Sequence, residues 1–182
     1  LGQGLLINGA VDDFTSEEDE DDETKDTVDD FDENRTAGRI YSYGSPPALA
    51  IEANAGENVV FSSVVETVRD TTDDDDDDDV DEVLATFSFD QGLINRGTIY
   101  ASGVNIGFDA TALSISGSED GTGTVTIDGG ILNSGTIQGT AYEASAVGLL
   151  LGNGTAIGTL ENSGSIAATT YTLTDDTAKA LF

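Results

Sequence analysis

Ile131-Leu132-Asn133-Ser134-Gly135-Thr136-Ile137 is one of three near-copies of a single string. Leu93-Ile94-Asn95-Arg96-Gly97-Thr98-Ile99 precedes it and Leu160-Glu161-Asn162-Ser163-Gly164-Ser165-Ile166 follows it. The three asparagines lie 38 and then 29 residues apart. Self-similarity at periods of this size marks a repeat architecture, in which each unit buries its apolar face against its neighbours. A second block follows each copy in the same order: Asp109-Ala110-Thr111-Ala112-Leu113-Ser114-Ile115, then Glu143-Ala144-Ser145-Ala146-Val147-Gly148-Leu149, then Asp175-Asp176-Thr177-Ala178-Lys179-Ala180-Leu181. A looser third block reads Val59-Val60-Phe61, Thr124-Val125-Thr126-Ile127 and Thr155-Ala156-Ile157-Gly158.

An earlier unit emerges once the acidic stretches are set aside. Gly38-Arg39-Ile40-Tyr41 matches Gly97-Thr98-Ile99-Tyr100, and Ser45-Pro46-Pro47-Ala48-Leu49-Ala50-Ile51 matches the second block. Leu6-Ile7-Asn8-Gly9 then supplies that unit's asparagine turn. Within blocks the apolar residues alternate, Leu49 with Ile51, Leu113 with Ile115 and Val147 with Leu149, which is the period of a β-strand with one face buried. Three strands recurring in fixed order predict an all-β fold, a parallel β-helix (β-solenoid) of about four three-strand coils across residues 1–182. Extra residues leave at the turns as loops. Lys179 breaks the pattern, because it stands where Leu49, Leu113 and Val147 stand in the other units.

In such a coil Asn95, Asn133 and Asn162 fall above one another, and their amides form a hydrogen-bonded ladder. Asparagine and glycine also tolerate left-handed backbone angles, which accounts for Asn-x-Gly as a corner. The plainer alternative is three unrelated turns, but the flanking apolar positions repeat as well.

Composition bounds the chemistry. The 182 residues include 22 Gly and 2 Pro, and Cys, Met, Trp and His are absent. That excludes disulfides, thiolate or imidazole metal sites and any triad that needs histidine. The net charge of -30 opposes contact with nucleic acid or anionic lipid. No apolar run approaches the roughly 18–20 residues that span a bilayer, so no direct membrane insertion is expected. The start at Leu1-Gly2-Gln3, without Met or a charged signal region, reads as that of a mature or excised segment. The acidity is local: 14 of the 36 acidic residues lie in 12–33 and 11 more in 66–82.

The repeated strings resemble the passenger regions of bacterial autotransporters and related large surface adhesins. The likeness rests on Ile131-Leu132-Asn133-Ser134-Gly135-Thr136-Ile137 and Leu160-Glu161-Asn162-Ser163-Gly164-Ser165-Ile166, with a Leu-rich strand between them. It covers residues 92–181 well and 5–63 in part, and it specifies no ligand. The resemblance implies that the β-helix is right-handed and exported to the Gram-negative cell surface, of which this chain is one part.

Two acidic inserts, 12–33 and 66–82, are the sharpest candidates for chemistry. Asp73, Asp74, Asp75, Asp76, Asp77, Asp78 and Asp79 form one unbroken run, and Glu17, Glu18, Asp19, Glu20, Asp21 and Asp22 lie in a second. Calcium takes several oxygen ligands at about 2.3–2.6 Å, which such runs supply, although no EF-hand spacing is present. The plainer reading is two solvated, self-repelling loops. Departure of both from one corner would favour counter-ions. Asp109, Glu143 and Asp175 share an offset from the second block and would form a column of acids, the kind of pair that hydrolyses glycosides at about 5–9 Å separation. That region lacks the bases and aromatic platforms of polysaccharide enzymes, so these acids read as solubilising turn residues. Tyr41, Tyr43, Tyr100, Tyr142 and Tyr171 follow the first block at similar offsets, where packing over a turn is the plainer reading and a surface stack suited to sugars or a partner protein the alternative.

The expected role is structural or adhesive rather than enzymatic: an extracellular element with calcium at its acidic loops. It assembles into a filament or layer by self-association or continuation of the solenoid, because the chain begins and ends inside a unit, and a host or matrix surface ligand is an expected partner. The alternative is a polysaccharide-binding or polysaccharide-cleaving β-helix, and a third reading is a β-sandwich with acidic linkers.

Overall fold

The structure, a computed structural model, describes residues 4–7, 37–69 and 83–172. Among these residues every regular element is a β-strand. The first repeated string folds as two strands, β7 (Leu93–Asn95) and β8 (Thr98–Ile106), on either side of the Arg96-Gly97 corner. β9 (Ala110–Ser116) and β10 (Thr124–Ile127) are the second and third blocks of that unit. The following unit gives β11 (Ile131–Asn133), β12 (Thr136–Tyr142), β13 (Ala146–Leu151) and β14 (Thr155–Ile157), and the next begins with β15 (Leu160–Asn162) and β16 (Ser165–Tyr171). The earliest unit gives β1 (Leu5–Ile7), β2 (Arg39–Tyr43), β3 (Leu49–Glu52) and β4 (Asn58–Phe61). Each of the first three units thus lays down four described strands where three were expected, because the chain bends at Asn-x-Gly and its two sides join different sheets.

Equivalent strands pair in parallel, one from each unit and in unit order: β1-β7-β11-β15, β2-β8-β12-β16, β3-β9-β13 and β4-β10-β14. The molecule is therefore a solenoid-like stack, in which the long connection that a parallel pair needs is the rest of the unit itself. Register holds as expected in most places. Asn133 stands level with Asn95 and Asn162, Ile137 with Ile99 and Ile166, Ile40 with Ile99, and Leu49 and Ile51 with Leu113 and Ile115.

Two alignments differ. Leu5, Leu6 and Ile7 pair with Leu93, Ile94 and Asn95, so Ile7 holds the asparagine position of the first unit, and Asn8 lies outside the described residues. In β13, Leu149 and not Val147 is level with Leu113, and Ala146 is level with Ala110. A slip of two residues leaves every side chain on its original face, so alternation alone is blind to it. The Asp175 block, with Lys179, lies outside the described residues.

The interior is built from columns. Leu93 and Ile131, Ile99 and Ile137, and Leu113 are fully buried at 0%, and Ile127 is at 1%. Each such side chain contributes about 1.5–3 kcal/mol by leaving water.

The corner glycines are required for a reason other than the one expected. Among the described residues the positive φ angles fall at Glu143 and at seven glycines that do not include Gly97, Gly135 or Gly164, and the ladder asparagines are likewise not left-handed. A Cβ on Gly135 would instead land on the carbonyl oxygen of Gly97, and one on Gly164 on that of Gly135. Close approach of successive corners excludes a side chain. Gly135→Ala is expected to cost about 1–3 kcal/mol as overpacking, read as a lower urea midpoint at unchanged m-value.

The second insert is rooted in a hairpin. β5 (Val64–Arg69) and β6 (Val83–Phe89) pair antiparallel between β4 and β7, and residues 70–82 connect them.

Candidate functional site

The corner between the first and second sheets gathers three features: the asparagine ladder, the root of the hairpin and the point of departure of the first acidic segment. Asn95 and Asn133 are fully buried at 0%. Asn95 Nδ2 donates to Asn133 Oδ1 at 2.7 Å, and Asn133 Nδ2 donates to Asn162 Oδ1 at 2.6 Å. The second amide hydrogens reach corner carbonyls at longer range, Asn133 Nδ2 to Ser165 O at 3.3 Å and Asn95 Nδ2 to Thr136 O at 3.4 Å. The ladder forms as expected from sequence and runs in one direction, each amide donating to the next unit. At its start Asn95 Oδ1 has no hydrogen-bond partner among the described residues, because Ile7 occupies the level before it.

Arg96, the middle residue of the second unit's corner, was not singled out by sequence. Its guanidinium Nη1 donates to Glu66 Oε2 at 2.6 Å, with both side chains nearly buried, and its Cζ lies 5.0 Å from the centre of the Phe89 ring. Both β5 and β6 are thus fastened to the ladder corner, helped by buried Val64. The backbone N–H of Arg96 also donates to Ile7 O at 2.9 Å, the last described residue before the first acidic segment. The strands from which both acidic stretches depart therefore converge on one arginine. Part of the signal was present: the equivalent residues Ser134 and Ser163 are small and neutral, and the chain has only 6 basic residues.

Other candidates are separated or lie elsewhere. Asp73 to Asp79 and Glu17 to Asp22 lie outside the described residues, as does Asp175. Asp109 is not level with Glu143. Its Oδ1 accepts from the Ser145 N–H at 2.8 Å, which caps the start of β13. The tyrosines make two pairs in place of one stack: Tyr41 and Tyr100 meet edge-on at 5.9 Å, and Tyr142 and Tyr171 stack at 5.1 Å. Between them Gln138 and Ala167 hold the level of Tyr100.

A cleft of about 510 Å³ opens beside Glu52, Asn54, Ser118, Glu119 and Asp120. Asp120 accepts from Ser118 Oγ at 2.6 Å, Thr122 N at 3.0 Å and Thr122 Oγ1 at 2.8 Å, bonds that hold its carboxyl below the usual range. The lining offers carboxylates and hydroxyls, and none of its side chains is cationic or aromatic. Among the described residues no three acidic side chains converge on a metal site.

No protein-family model, curated protein or solved structure matches the chain.

Proposed function

We propose that this chain is a structural or adhesive element of a bacterial cell surface, a right-handed β-solenoid of about four coils whose acidic segments bind calcium. The observation that carries the reading is the ladder: three equivalent asparagines, 38 and 29 residues apart, share amide hydrogen bonds in one column. A column of that kind gives rigidity along the stack. The likeness of the repeated strings to autotransporter passengers supports export to the surface.

Calcium enters through charge. Two segments hold 25 of the 36 acidic residues, and β1 and β5, the described strands that lead into them, both bond to Arg96. Their mutual repulsion favours divalent counter-ions over a bare surface. The competing polysaccharide-cleaving reading drew on a column of Asp109 and Glu143, and Asp109 instead accepts from the Ser145 N–H.

Calorimetric titration with calcium chloride is expected to release or absorb heat, and the melting temperature should rise and fall back with chelator. At a hundredfold excess over Kd the gain would be about 2.7 kcal/mol. A flat titration and an unmoved melt would remove calcium from the reading. Release of reducing ends from a panel of polysaccharides would replace it with the enzymatic one.

A further inference from the structure

Among the described residues, the same columns that are sealed in the middle of the stack are partly exposed at both ends. Leu93 and Ile131 are at 0%, whereas Leu160 at the end of that column is 45% exposed and Leu5 at its start is only partly buried. Ile40 and Ile166 flank buried Ile99 and Ile137, Leu49 and Leu149 flank buried Leu113, and Phe61 and Ile157 flank buried Ile127. The two ends therefore carry the same residue or an apolar equivalent in each of four columns.

Their backbones are complementary too. Ser165 N–H donates to Gly135 O and Tyr171 O accepts from Glu143 N–H, so odd-numbered residues of β16 face the preceding unit. Alternate residues of a parallel strand face opposite ways. Ile166, Ala168 and Thr170 thus turn their N–H and C=O groups to the open side. At the other end Thr98 N–H donates to Gly38 O and Gly44 N–H to Ser102 O, which leaves Arg39, Tyr41 and Tyr43 facing outward. These two rows have the phase that joins neighbouring units inside the stack. The edge strands also hold few charges: β13 to β16 carry Glu161 alone, and β1 to β4 carry Arg39 and Glu52.

We propose that the β13–β16 end binds the β1–β4 end of a second copy of this chain, so that copies add head to tail and the columns run on across the junction. The inference rests on the solenoid reading above and names its partner. A head-to-tail contact leaves one open end at each step and grows as a filament. Leu160 meets Leu5, Ile166 meets Ile40, Leu149 meets Leu49 and Ile157 meets Phe61. The ladder alone is interrupted, because Asn162 meets Ile7 as Asn95 already does within the chain.

The test is sedimentation velocity over a hundredfold concentration range on the full chain, with electron microscopy of the concentrated sample. Linear polymers growing with concentration are expected. Ala168→Pro removes an outward N–H and Tyr43→Pro does so at the other end, and neither takes a hydrogen bond from among the described residues. Each variant alone should be monomeric at concentrations where the parent polymerises, with unchanged circular dichroism and melting temperature. Mixed, the two should form a one-to-one dimer through their intact ends. A full chain that stays monomeric throughout overturns the proposal, and so does dimerisation of either variant alone, which would mean like ends meet. Polymerisation only after deletion of residues 173–182 would assign the open end to that segment and overturn it equally. Loss of stability in a ladder variant of a strictly monomeric chain would leave the solenoid reading standing and sink this inference alone.

Discussion

Asn133→Ala is expected to cost roughly 2–4 kcal/mol of folding free energy, since it strands one buried donor and one acceptor at once. Asn133 both accepts from Asn95 Nδ2 and donates to Asn162 Oδ1, and it is fully buried. Without it the Asn95 amide keeps only the long contact to Thr136 O at 3.4 Å. Asn162 is exposed, so in Asn162→Ala water can take the place of its Oδ1 and reach Asn133 Nδ2, which also keeps Ser165 O at 3.3 Å, and that variant should cost less than about 1 kcal/mol. Urea titrations of the two variants give the contrast directly. Asn133→Gly separates a ladder from a turn: glycine suits any turn, so a full loss of stability in that variant is expected. A stable Asn133→Gly protein would show that the residue matters only for its backbone.

The second large effect lies at Arg96. Removing one partner from a buried ion pair weakens the compensation of the charge that stays, at a cost of up to about 3–5 kcal/mol. Arg96→Met keeps the aliphatic bulk and removes the guanidinium that holds Glu66 and covers Phe89. Because the pair fastens a hairpin to the stack and lies outside its apolar columns, the loss should be local. Hydrogen exchange is expected to speed in β5 and β6 while the amides of β8 and β12 keep their protection. Glu66→Gln combined with Arg96→Met should recover part of the loss, since the carboxylate that lost Arg96 is then neutral. Uniform loss of protection across all strands would mean that the hairpin is not a separate cooperative unit, and no change at all would show the pair to be idle.

Both effects belong to one corner, which was legible in sequence to different degrees. The ladder was readable because the fold repeats its own contacts: a residue required at one level is required at the next, and Asn95, Asn133 and Asn162 show the requirement three times. Arg96 with Glu66 occurs once, 30 residues apart, with no copy in another unit. A single contact between a corner and an inserted hairpin leaves no periodic trace. The acid column failed for a related reason, since Asp109 and Glu143 share an offset in the string but not a level in the sheet.

The order of units, the alternation that aims Leu113 and Ile115 inward, and the stacking of the three asparagines were determined by the sequence alone, because translational repetition writes the same side chain wherever the same neighbours recur. Tertiary structure decided the level of Leu149 on Leu113, the placement of Ile7 where an asparagine was expected, and the docking of the hairpin on Arg96. Facing has a period of two and cannot report a slip of two, so those levels are chosen by which corners can approach and which backbone groups find partners across the stack.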